Sequence, residues 1–352
     1  MSGRNAIVLE IAALTDLGRT RDHNEDTYLV ADLTRGTTDV LTSSRAELGP
    51  KGSLFLVADG MGGAAAGELA SALAADTIFE TLRASWTSEG AAEPDAFARQ
   101  IKAAVEAAND RIHRYAAEHQ ESRGMGTTAT VVGVLGNRLH LAQVGDSRAY
   151  LVRDGRAVQL TKDQSLIQRL IDAGELTEDQ AAQSERRNII LQALGPDARI
   201  RVDVTYQDIA SGDILILCSD GLSGQVTRDE IGRLAAETPV LADLPGQLVA
   251  LANERGGPDN ITVVAVRFEG AGLPAPAAAD DLGYHAHPSI DSSDEQPVQI
   301  LATPVNTDAV IATDEEETPP IRRTRRTGSP AMMAAIGVAI LLGLLAIFLL
   351  VA

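Results

Sequence analysis

The sequence predicts an α+β fold in which two mainly antiparallel sheets pack face to face and helices cover them from outside. Strand and helix signals alternate over residues 1–270, and short Gly-Asn and Asp-Gly turns join neighbouring strands. The order of the signals is strands, two helices, further strands, then helices and a last strand. Such an order is typical of antiparallel sheets that carry helices on their outer faces.

Individual elements follow from periodicity and from capping residues. Ala-rich stretches with helical spacing predict helices over 65–84 and 95–118. Thr227 and Glu230 have the spacing of a capping box, so a third helix is expected from Thr227. β-Branched and apolar runs over 127–160, interrupted by Gly-Asn and Asp-Gly, predict an antiparallel meander of about four strands. The remaining strand predictions are 8–16, 53–59, 200–206, 213–220 and 260–268.

The composition changes after residue 270. Residues 271–320 are rich in Ala, Pro, Ser and Thr, and they contain ten acidic residues but no Lys or Arg. A segment of this kind repels itself and has little apolar surface to bury. The sequence therefore predicts a folded domain over 1–270 and an acidic, disordered linker over 271–330 that ends in the arginines of IRRTRR.

The last 22 residues, 331–352, carry no charge. As a helix rising about 1.5 Å per residue, they are long enough to span a bilayer. The arginines that precede them predict, by the positive-inside rule, that the N-terminal domain lies in the cytoplasm. We expect a single-pass protein of the cell membrane. A buried core helix is the alternative, but such helices seldom lack a polar face.

Charge and cysteine content exclude several classes of protein. Acidic residues outnumber Lys and Arg by 49 to 30, for a net charge of −19, which argues against nucleic acid as a partner. The single cysteine, Cys218, excludes an internal disulfide framework and a multi-cysteine zinc site. Its place in the apolar run LILCSD predicts a buried strand residue rather than a reactive thiol.

Acidic residues recur where predicted strands begin or end. Any one of them is an ordinary turn former beside Gly or Pro. As a set they indicate a cation site, because strand ends can converge and like-charged carboxylates repel unless a cation lies between them. The acidic residues at strand ends are Glu25, Asp26, Asp59, Asp146, Asp220 and Asp259.

The donor types in this set predict hard divalent cations. The chain has six His and one Cys, so carboxylates and backbone carbonyls are the available ligands, and these suit Mg²⁺ or Mn²⁺. A pair of such cations serves phosphoryl chemistry. The cations would also supply the positive charge that an anionic substrate needs in an acidic protein, with help from a nearby arginine such as Arg21.

Seven motifs follow one another over residues 8–268: GRTRDHNED, LFLVADGMGGAAAGELAS, GMGTTATVV, VGDSRAYLVRDG, RRNIILQALG, GDILILCSDGL and GGPDNITVVAV. In this order they resemble the metal-dependent protein serine/threonine phosphatases of the PPM, or PP2C-like, family, in its bacterial branch. The resemblance implies a four-layer αββα sandwich whose cleft holds two Mn²⁺ or Mg²⁺ ions, with a possible third.

The resemblance also implies roles for particular residues. Asp59 would bridge both ions, and the carbonyl of Gly60 would bind one of them. Asp220 and Asp259 would bind the first ion. Glu25 and Asp26 would complete the shell of the second ion, partly through water.

Two further roles come from the same resemblance. Asp146, together with Asp220, would form a weaker third-metal site. Arg21 would hold the substrate phosphate, and its planar fork suits that task; the alternative is a surface ion pair with Asp22 or Glu25. Residues 163–183 correspond to the flap beside the cleft, an element thought to influence substrate choice. The alternative for the flap is a solvated helical excursion without a catalytic role.

Three positions depart from the pattern of the family. Met61 stands where eukaryotic relatives carry a His assigned as general acid, so that role does not transfer. Ala64 and Gln164 replace two other frequent His residues of the bacterial branch. None of the three removes a predicted metal ligand, but together they leave the donor of the leaving-group proton unassigned.

The implied function is hydrolysis of phosphoserine and phosphothreonine through a hydroxide that bridges two divalent ions. The expected partners are phosphorylated proteins, in particular a Ser/Thr kinase and its targets, with a monomeric catalytic domain. One alternative is a catalytically inactive phosphoprotein-binding or sensing module on the same fold, whose signature would be missing metal ligands. A phosphatase dedicated to one regulator and a purely structural membrane anchor are further alternatives.

Overall fold

The computed structural model describes residues 6–38, 43–86, 92–177, 180–181, 184, 186, 189–276, 282–288 and 290. The strands are β1 (Val8–Asp16), β2 (Asp26–Asp32), β3 (Ser43–Glu47), β4 (Ser53–Met61), β5 (Gly126–Thr127), β6 (Ala129–Leu135), β7 (Arg138–Val144), β8 (Arg148–Arg153), β9 (Arg156–Gln159), β10 (Asp203–Asp208), β11 (Ile214–Cys218) and β12 (Ile261–Glu269). The helices are α1 (Ala64–Ser85), α2 (Pro94–Glu118), α3 (Leu166–Asp172), α4 (Asp220–Ser223), α5 (Arg228–Glu237) and α6 (Leu244–Glu254).

The strands form two antiparallel sheets, as predicted. Sheet 1 has the order β3-β1-β12-β11-β8-β9. Sheet 2 has the order β10-β7-β6-β4-β2, and β5 pairs with the end of β4. Neighbouring strands are antiparallel throughout both sheets.

Three apolar layers hold the domain together. In β4, Leu54 and Leu56 pack with α1 and α2 on the outer face of sheet 2, whereas Phe55 and Val57 pack between the two sheets. This division follows from the two-residue period of a strand, and it explains why β4 is apolar on both faces. A third layer, which includes Tyr150, lies between sheet 1 and the C-terminal helices α5 and α6. The three apolar layers thus lie between four layers of secondary structure, in the order helix, sheet, sheet, helix.

Several local predictions are confirmed. The side chain of Thr227 accepts a hydrogen bond from the backbone N–H of Glu230, and the Glu230 carboxylate accepts one from that of Thr227, which completes the capping box of α5. The helices predicted over 65–84 and 95–118 are present as α1 and α2. Cys218 is a fully buried strand residue with a free thiol.

The prediction of one four-stranded meander over 127–160 was wrong. Its hairpins are separate: β6 and β7 belong to sheet 2, whereas β8 and β9 belong to sheet 1. The chain crosses between the sheets at Gly145, whose φ of 100° is a conformation that side-chain-bearing residues rarely adopt. The crossing places Asp146 at the junction of the two sheets.

Three strands were not predicted, namely β2, β3 and the two-residue β5, and β2 matters for the acidic residues. β2 starts at Asp26, which was predicted only as an acidic residue just after the first strand. The second unpredicted strand is β3, at the edge of sheet 1. Strand β4 also continues past Asp59 to Met61, because Gly60 and Met61 pair with β5.

Packed structure extends to residue 290, beyond the domain end predicted at residue 270. In the segment 282–290, the backbone N–H of His287 donates to the carbonyl of Val204, and the carbonyl of His285 accepts from Tyr206. The segment thereby adds an antiparallel bridge to the outer edge of β10. Ile290 is buried in the same apolar layer as α1 and α2.

The predicted membrane segment, 331–352, and most of the predicted linker lie outside the described residues. Among the helices that the structure does describe, none is both long enough and apolar enough to cross a membrane.

Candidate metal centre

The predicted metal ligands of sheet 2 lie on adjacent strands. Asp26 of β2 stands directly opposite Asp59 of β4 in the antiparallel register. Side chains of directly opposed residues are about 5 Å apart at Cβ, where two like charges are destabilising. The pairing of these two carboxylates therefore needs a positive charge or a proton between them.

Sheet 1 contributes two more acids to the same end of the sandwich. Asp220 is the first residue of α4 and is separated from β11 by Ser219 alone, and Asp259 lies just before β12, the neighbour of β11. Burial raises the pKa of Asp220, and the charge of Asp259 raises it further, while a hydrogen bond with Asp59 opposes the rise. Asp59 and Asp220 thus affect each other's pKa across the two sheets.

The cluster strongly disfavours full ionisation in the metal-free protein. Burial raises the pKa of Asp59 well above its usual range, and the charges of Asp26 and Asp220 raise it further. Burial also raises the pKa of Asp26 and of Asp146 to about 7, with the charge of Asp220 adding to both shifts. The residues predicted as metal ligands therefore affect one another's protonation.

Unpaired oxygen atoms indicate that the cluster is suited to cations. Asp26 and Asp146 are 8% and 6% exposed, and the Oδ1 atoms of Asp26, Asp146 and Asp220 are buried without a hydrogen-bond partner. Buried polar atoms are nearly always paired, so three unpaired carboxylate oxygens in one place require an explanation. Among the described residues, no three His, Cys, Asp or Glu side chains are already arranged as ligands of a single ion.

Glycines bring the backbone and Glu25 close together beside this cluster. A Cβ on Gly60 would lie 2.2 Å from the carbonyl oxygen of Gly67 and 2.6 Å from that of Glu25. A Cβ on Gly67 would lie 2.3 Å from the Glu25 carboxylate. The small residues of the GMGGAAAGELAS stretch thus let α1 approach the loop that carries Glu25. Burial raises the pKa of Glu25, which Arg21 opposes.

Arg21 lies at the rim of the site. Its Nη2 donates to Oδ2 of Asp259 at 2.8 Å, and its side chain is 51% exposed. The alternative prediction for Arg21 was a surface ion pair with Asp22 or Glu25. The observed partner is instead Asp259, a predicted metal ligand. The Asp259 hydrogen bond is also the main cause of the raised pKa of Arg21.

The base of the flap is bound to the Asp146 loop. The backbone N–H of Gly145 donates to Oε1 of Gln164 at 3.0 Å, and the guanidinium of Arg148 forms a two-pronged ion pair with Asp163. Gln164, one of the departures from the family pattern, therefore serves as a hydrogen-bonding junction. Part of the predicted flap, 163–183, is described as helix α3, which begins at Leu166.

Hydroxyl groups around the carboxylates were missed by the sequence analysis. Ser219 and Thr262 both donate to Oδ2 of Asp26 at 2.7 Å. The hydroxyl of Thr128 accepts from the backbone N–H of Asp59, and the hydroxyl of Thr127 donates to the Asp59 carbonyl. Their sequence signal is weak, since Ser and Thr are common in strands, although Ser219 directly precedes a predicted ligand.

Comparison with known proteins agrees with this geometry. A family model described as protein phosphatase 2C matches residues 42–254. The serine/threonine protein phosphatase PstP of Mycobacterium tuberculosis is 37% identical over 261 residues, which cover 74% of this chain and 45% of PstP. The chain thus matches less than half the length of that relative. Protein phosphatase PhpP of Streptococcus pneumoniae is 34% identical over 258 residues, or 73% of this chain and 97% of PhpP.

A solved structure supports the same assignment. The catalytic domain of PstP in complex with two manganese ions has a TM-score of 0.60 and 34% identity, and the match covers 75% of this chain and 100% of that one. The fold, the motif order and these relatives agree. The chain therefore belongs to the protein phosphatase 2C family.

Proposed function

We propose that the chain is a metal-dependent protein serine/threonine phosphatase, which hydrolyses phosphoserine and phosphothreonine esters. The observation that carries the proposal is the convergence of acids from both sheets, with three buried, unpaired carboxylate oxygens. The manganese ions of the PstP structure support the choice of Mn²⁺ or Mg²⁺. The relatives PstP and PhpP are named protein phosphatases, which supports a phosphoprotein as the substrate.

In this proposal the acids hold two divalent cations. Asp59 is paired with Asp26 of sheet 2 and interacts with Asp220 of sheet 1, so it would serve as a ligand shared by both ions, and the carbonyl of Gly60 would bind one of them. When bound, the cations lower the pKa of a water and offset negative charge on the phosphate. The first ion is assigned to Asp220 and Asp259.

The remaining ligands complete the arrangement. Glu25 and Asp26 belong to the second ion, and Asp146 with Asp220 forms a weaker third site. The unpaired Oδ1 atoms of Asp26 and Asp146 support both assignments.

Arg21 supplies the positive charge that the chain itself brings to the phosphate. Its guanidinium uses one N–H group on Asp259 and lies half exposed at the rim. A planar fork of donors suits bidentate binding of phosphate oxygens. Met61, which has no titratable group, leaves proton transfer to the leaving group to another donor.

The predicted context follows from the sequence beyond the described residues. We infer a domain ending near residue 290, an acidic tether, and a membrane helix over 331–352 with the catalytic domain in the cytoplasm. Phosphorylated proteins, including a Ser/Thr kinase and its targets, are the proposed partners. Neither nucleic acid nor a second copy of the chain is required.

Phosphate release from a phosphothreonine peptide tests the activity. The purified full-length chain should release phosphate with Mn²⁺ and none with a chelator, and Asp59→Asn should abolish release. Binding of the phosphopeptide without hydrolysis would favour the inactive binding module. Hydrolysis that persists in chelator would contradict the metal-dependent proposal.

Fractionation tests the anchor. The full-length chain should sediment with membranes, and a chain that lacks 331–352 should move to the soluble fraction. Membrane residence of the shortened chain would contradict a single terminal anchor.

A further inference from the structure

The two carboxylate oxygens of Asp26 have very different surroundings. Oδ2 accepts hydrogen bonds from the hydroxyls of Ser219 and Thr262, each at 2.7 Å. Oδ1 is buried and accepts none. The two hydroxyls therefore fix the rotation of the carboxylate and leave one chosen oxygen without a partner.

The backbone fixes the direction of the Ser219 hydrogen bond. The N–H of Thr262 donates to the Ser219 hydroxyl oxygen at 3.0 Å, while the N–H of Ser219 donates to the carbonyl of Thr262 at 3.2 Å. A hydroxyl has only one proton. Because an ionised carboxylate only accepts hydrogen bonds, the Ser219 proton is donated to Asp26 Oδ2 at 2.7 Å, and the carbonyl of Asn260 is a more distant acceptor at 3.5 Å.

A closed ring of hydrogen bonds directs the Thr262 proton in the same way. The amide of Asn24 donates to the Thr15 hydroxyl at 2.8 Å and accepts from the backbone N–H of Asp26. The hydroxyls of Thr15 and Thr262 are 2.7 Å apart. Since Thr262 donates its proton to Asp26, Thr15 must donate to Thr262. The side chains of the ring thus donate in the order Asn24 to Thr15, Thr15 to Thr262 and Thr262 to the Asp26 carboxylate.

These hydrogen bonds join the two sheets. Thr15 and Thr262 belong to β1 and β12 of sheet 1, and Ser219 follows β11 of the same sheet. Asp26 belongs to β2 of sheet 2. Ser219 and Thr262 are both fully buried, so water does not compete for these contacts.

We propose that Ser219 and Thr262 are positioning residues, which hold the Asp26 carboxylate so that Oδ1 is directed to a divalent cation. The inference rests on the proposed function, since the cation is the one assigned to Glu25 and Asp26. Hydrogen bonds that orient metal ligands typically affect metal affinity by about 10–100-fold. Ser219 and Thr262 therefore set the affinity of the site and do not touch the substrate.

Mn²⁺ binding provides the test. The full-length, chelator-treated chain is titrated with Mn²⁺ by calorimetry, and hydrolysis of an aryl phosphate is followed over the same Mn²⁺ range. Thr262→Val, which keeps the shape of the side chain, and Ser219→Ala should each weaken Mn²⁺ binding about tenfold. Because a positioning role is overcome by excess metal, kcat at saturating Mn²⁺ should stay near that of the unmodified chain.

Two further variants separate positioning from a general loss of packing. Thr262→Ser keeps the hydroxyl and should restore Mn²⁺ affinity. Thr205→Val removes another buried hydroxyl, whose one hydrogen bond within the described part of the chain is to the carbonyl of Leu160, and should leave Mn²⁺ affinity unchanged.

Unchanged Mn²⁺ affinity in both Thr262→Val and Ser219→Ala would overturn the inference. An equal loss in Thr205→Val would overturn it as well. Failure of the proposed function is distinguishable, since the unmodified chain would then bind Mn²⁺ without releasing phosphate, while the binding comparison among variants would still decide the role of the hydroxyls.

Discussion

The acidic residues that make the site suitable for cations also lower the stability of the metal-free protein. Asp26 lies opposite Asp59 on the neighbouring strand, and the charge of Asp220 in the other sheet raises the pKa of Asp59. Burial and mutual repulsion raise the pKa values of all three residues. A bound cation removes this repulsion, so metal binding and stability are coupled at these side chains.

The metal-free protein should lose stability as pH rises from about 4 to about 7. The folded-state pKa of Asp26 is raised from 3.8 to about 7, so its stabilising contribution is complete below pH 4 and is lost through pH 7. Asp26→Asn cannot ionise, and its stability relative to the unmodified chain should increase over this range. Roughly 4 kcal/mol is the upper limit for a shift of this size.

Urea unfolding in the presence of chelator measures this difference at several pH values. Saturating Mn²⁺ should reduce or reverse the advantage of Asp26→Asn. A stability difference that stays constant with pH, or that narrows as pH rises, would contradict the repulsion argument.

Arg21 should affect substrate binding more than the metal. Removal of a charged hydrogen-bond partner costs about 1.5–3 kcal/mol, so Arg21→Ala should raise KM for an aryl phosphate by roughly 10–100-fold at saturating Mn²⁺. Arg21→Lys should lie in between, since Lys cannot make a forked contact. Steady-state kinetics measure both variants, with Arg19→Ala as the control from the same loop. An unchanged KM in Arg21→Ala would rule out the phosphate role.

At the scale of elements, local signals were reliable where one residue type has one physical role. Thr227 and Glu230 predicted the start of α5, and the structure shows both hydrogen bonds of the capping box. The turns at Gly136 and at Asp154-Gly155 have the positive φ values that such hairpins need. These features depend on neighbours in sequence, so the sequence is sufficient to predict them.

Elements that depend on distant partners were predicted less well. β2 was missed because its start, Asp26, was interpreted only as an acidic residue that follows the first strand. The segment 282–290 was assigned to a linker because residues 271–320 as a whole are acidic, although 282–290 itself contains no acidic residue. The segment is held by backbone hydrogen bonds to the outer edge of β10 and by apolar residues such as Ile290, which is buried with residues of α1 and α2.

The segment 282–290 should stabilise the domain. A chain that ends at residue 276 would expose the edge of β10 and the apolar surface under Ile290, whereas a chain that ends at residue 290 keeps both covered. Burial of one Ile is worth about 1.5–3 kcal/mol, and the two backbone hydrogen bonds add about 1 kcal/mol each. The shorter chain should therefore unfold at lower urea concentration.

Size-exclusion chromatography gives a second readout for the same pair of chains. An uncovered edge strand can pair with another copy, so the chain ending at residue 276 should self-associate. Equal unfolding midpoints and equal elution of the two chains would contradict a stabilising role for the segment.

At the scale of the whole molecule, the site depends on an arrangement that the sequence order does not show. The candidate ligands were found from Asp-Gly and Pro-Asp at strand ends, and their convergence was expected. The assignment of β6–β7 and β8–β9 to different sheets was not, because hairpin signals do not tell which sheet a hairpin joins. That division places Asp146 at the crossing between sheets.

The roles of the Ser219 and Thr262 hydroxyls could not be predicted from the sequence for the same reason. They lie 193 and 236 residues from Asp26 in the chain, and only the packing of sheet 1 on sheet 2 brings them to its carboxylate. The acids of the cluster are thus recognisable by residue type, whereas the groups that orient them are recognisable only by position.

The central claim is that carboxylates from both sheets hold two divalent cations. Calorimetric titration of Mn²⁺ into the chelator-treated full-length chain tests it most directly, with Asp59→Asn as the comparison. We expect at least two bound Mn²⁺ per chain, and a marked loss of binding in Asp59→Asn because the shared ligand is weakened. Mn²⁺ binding that Asp59→Asn leaves unchanged, or no Mn²⁺ binding by the unmodified chain, would contradict it.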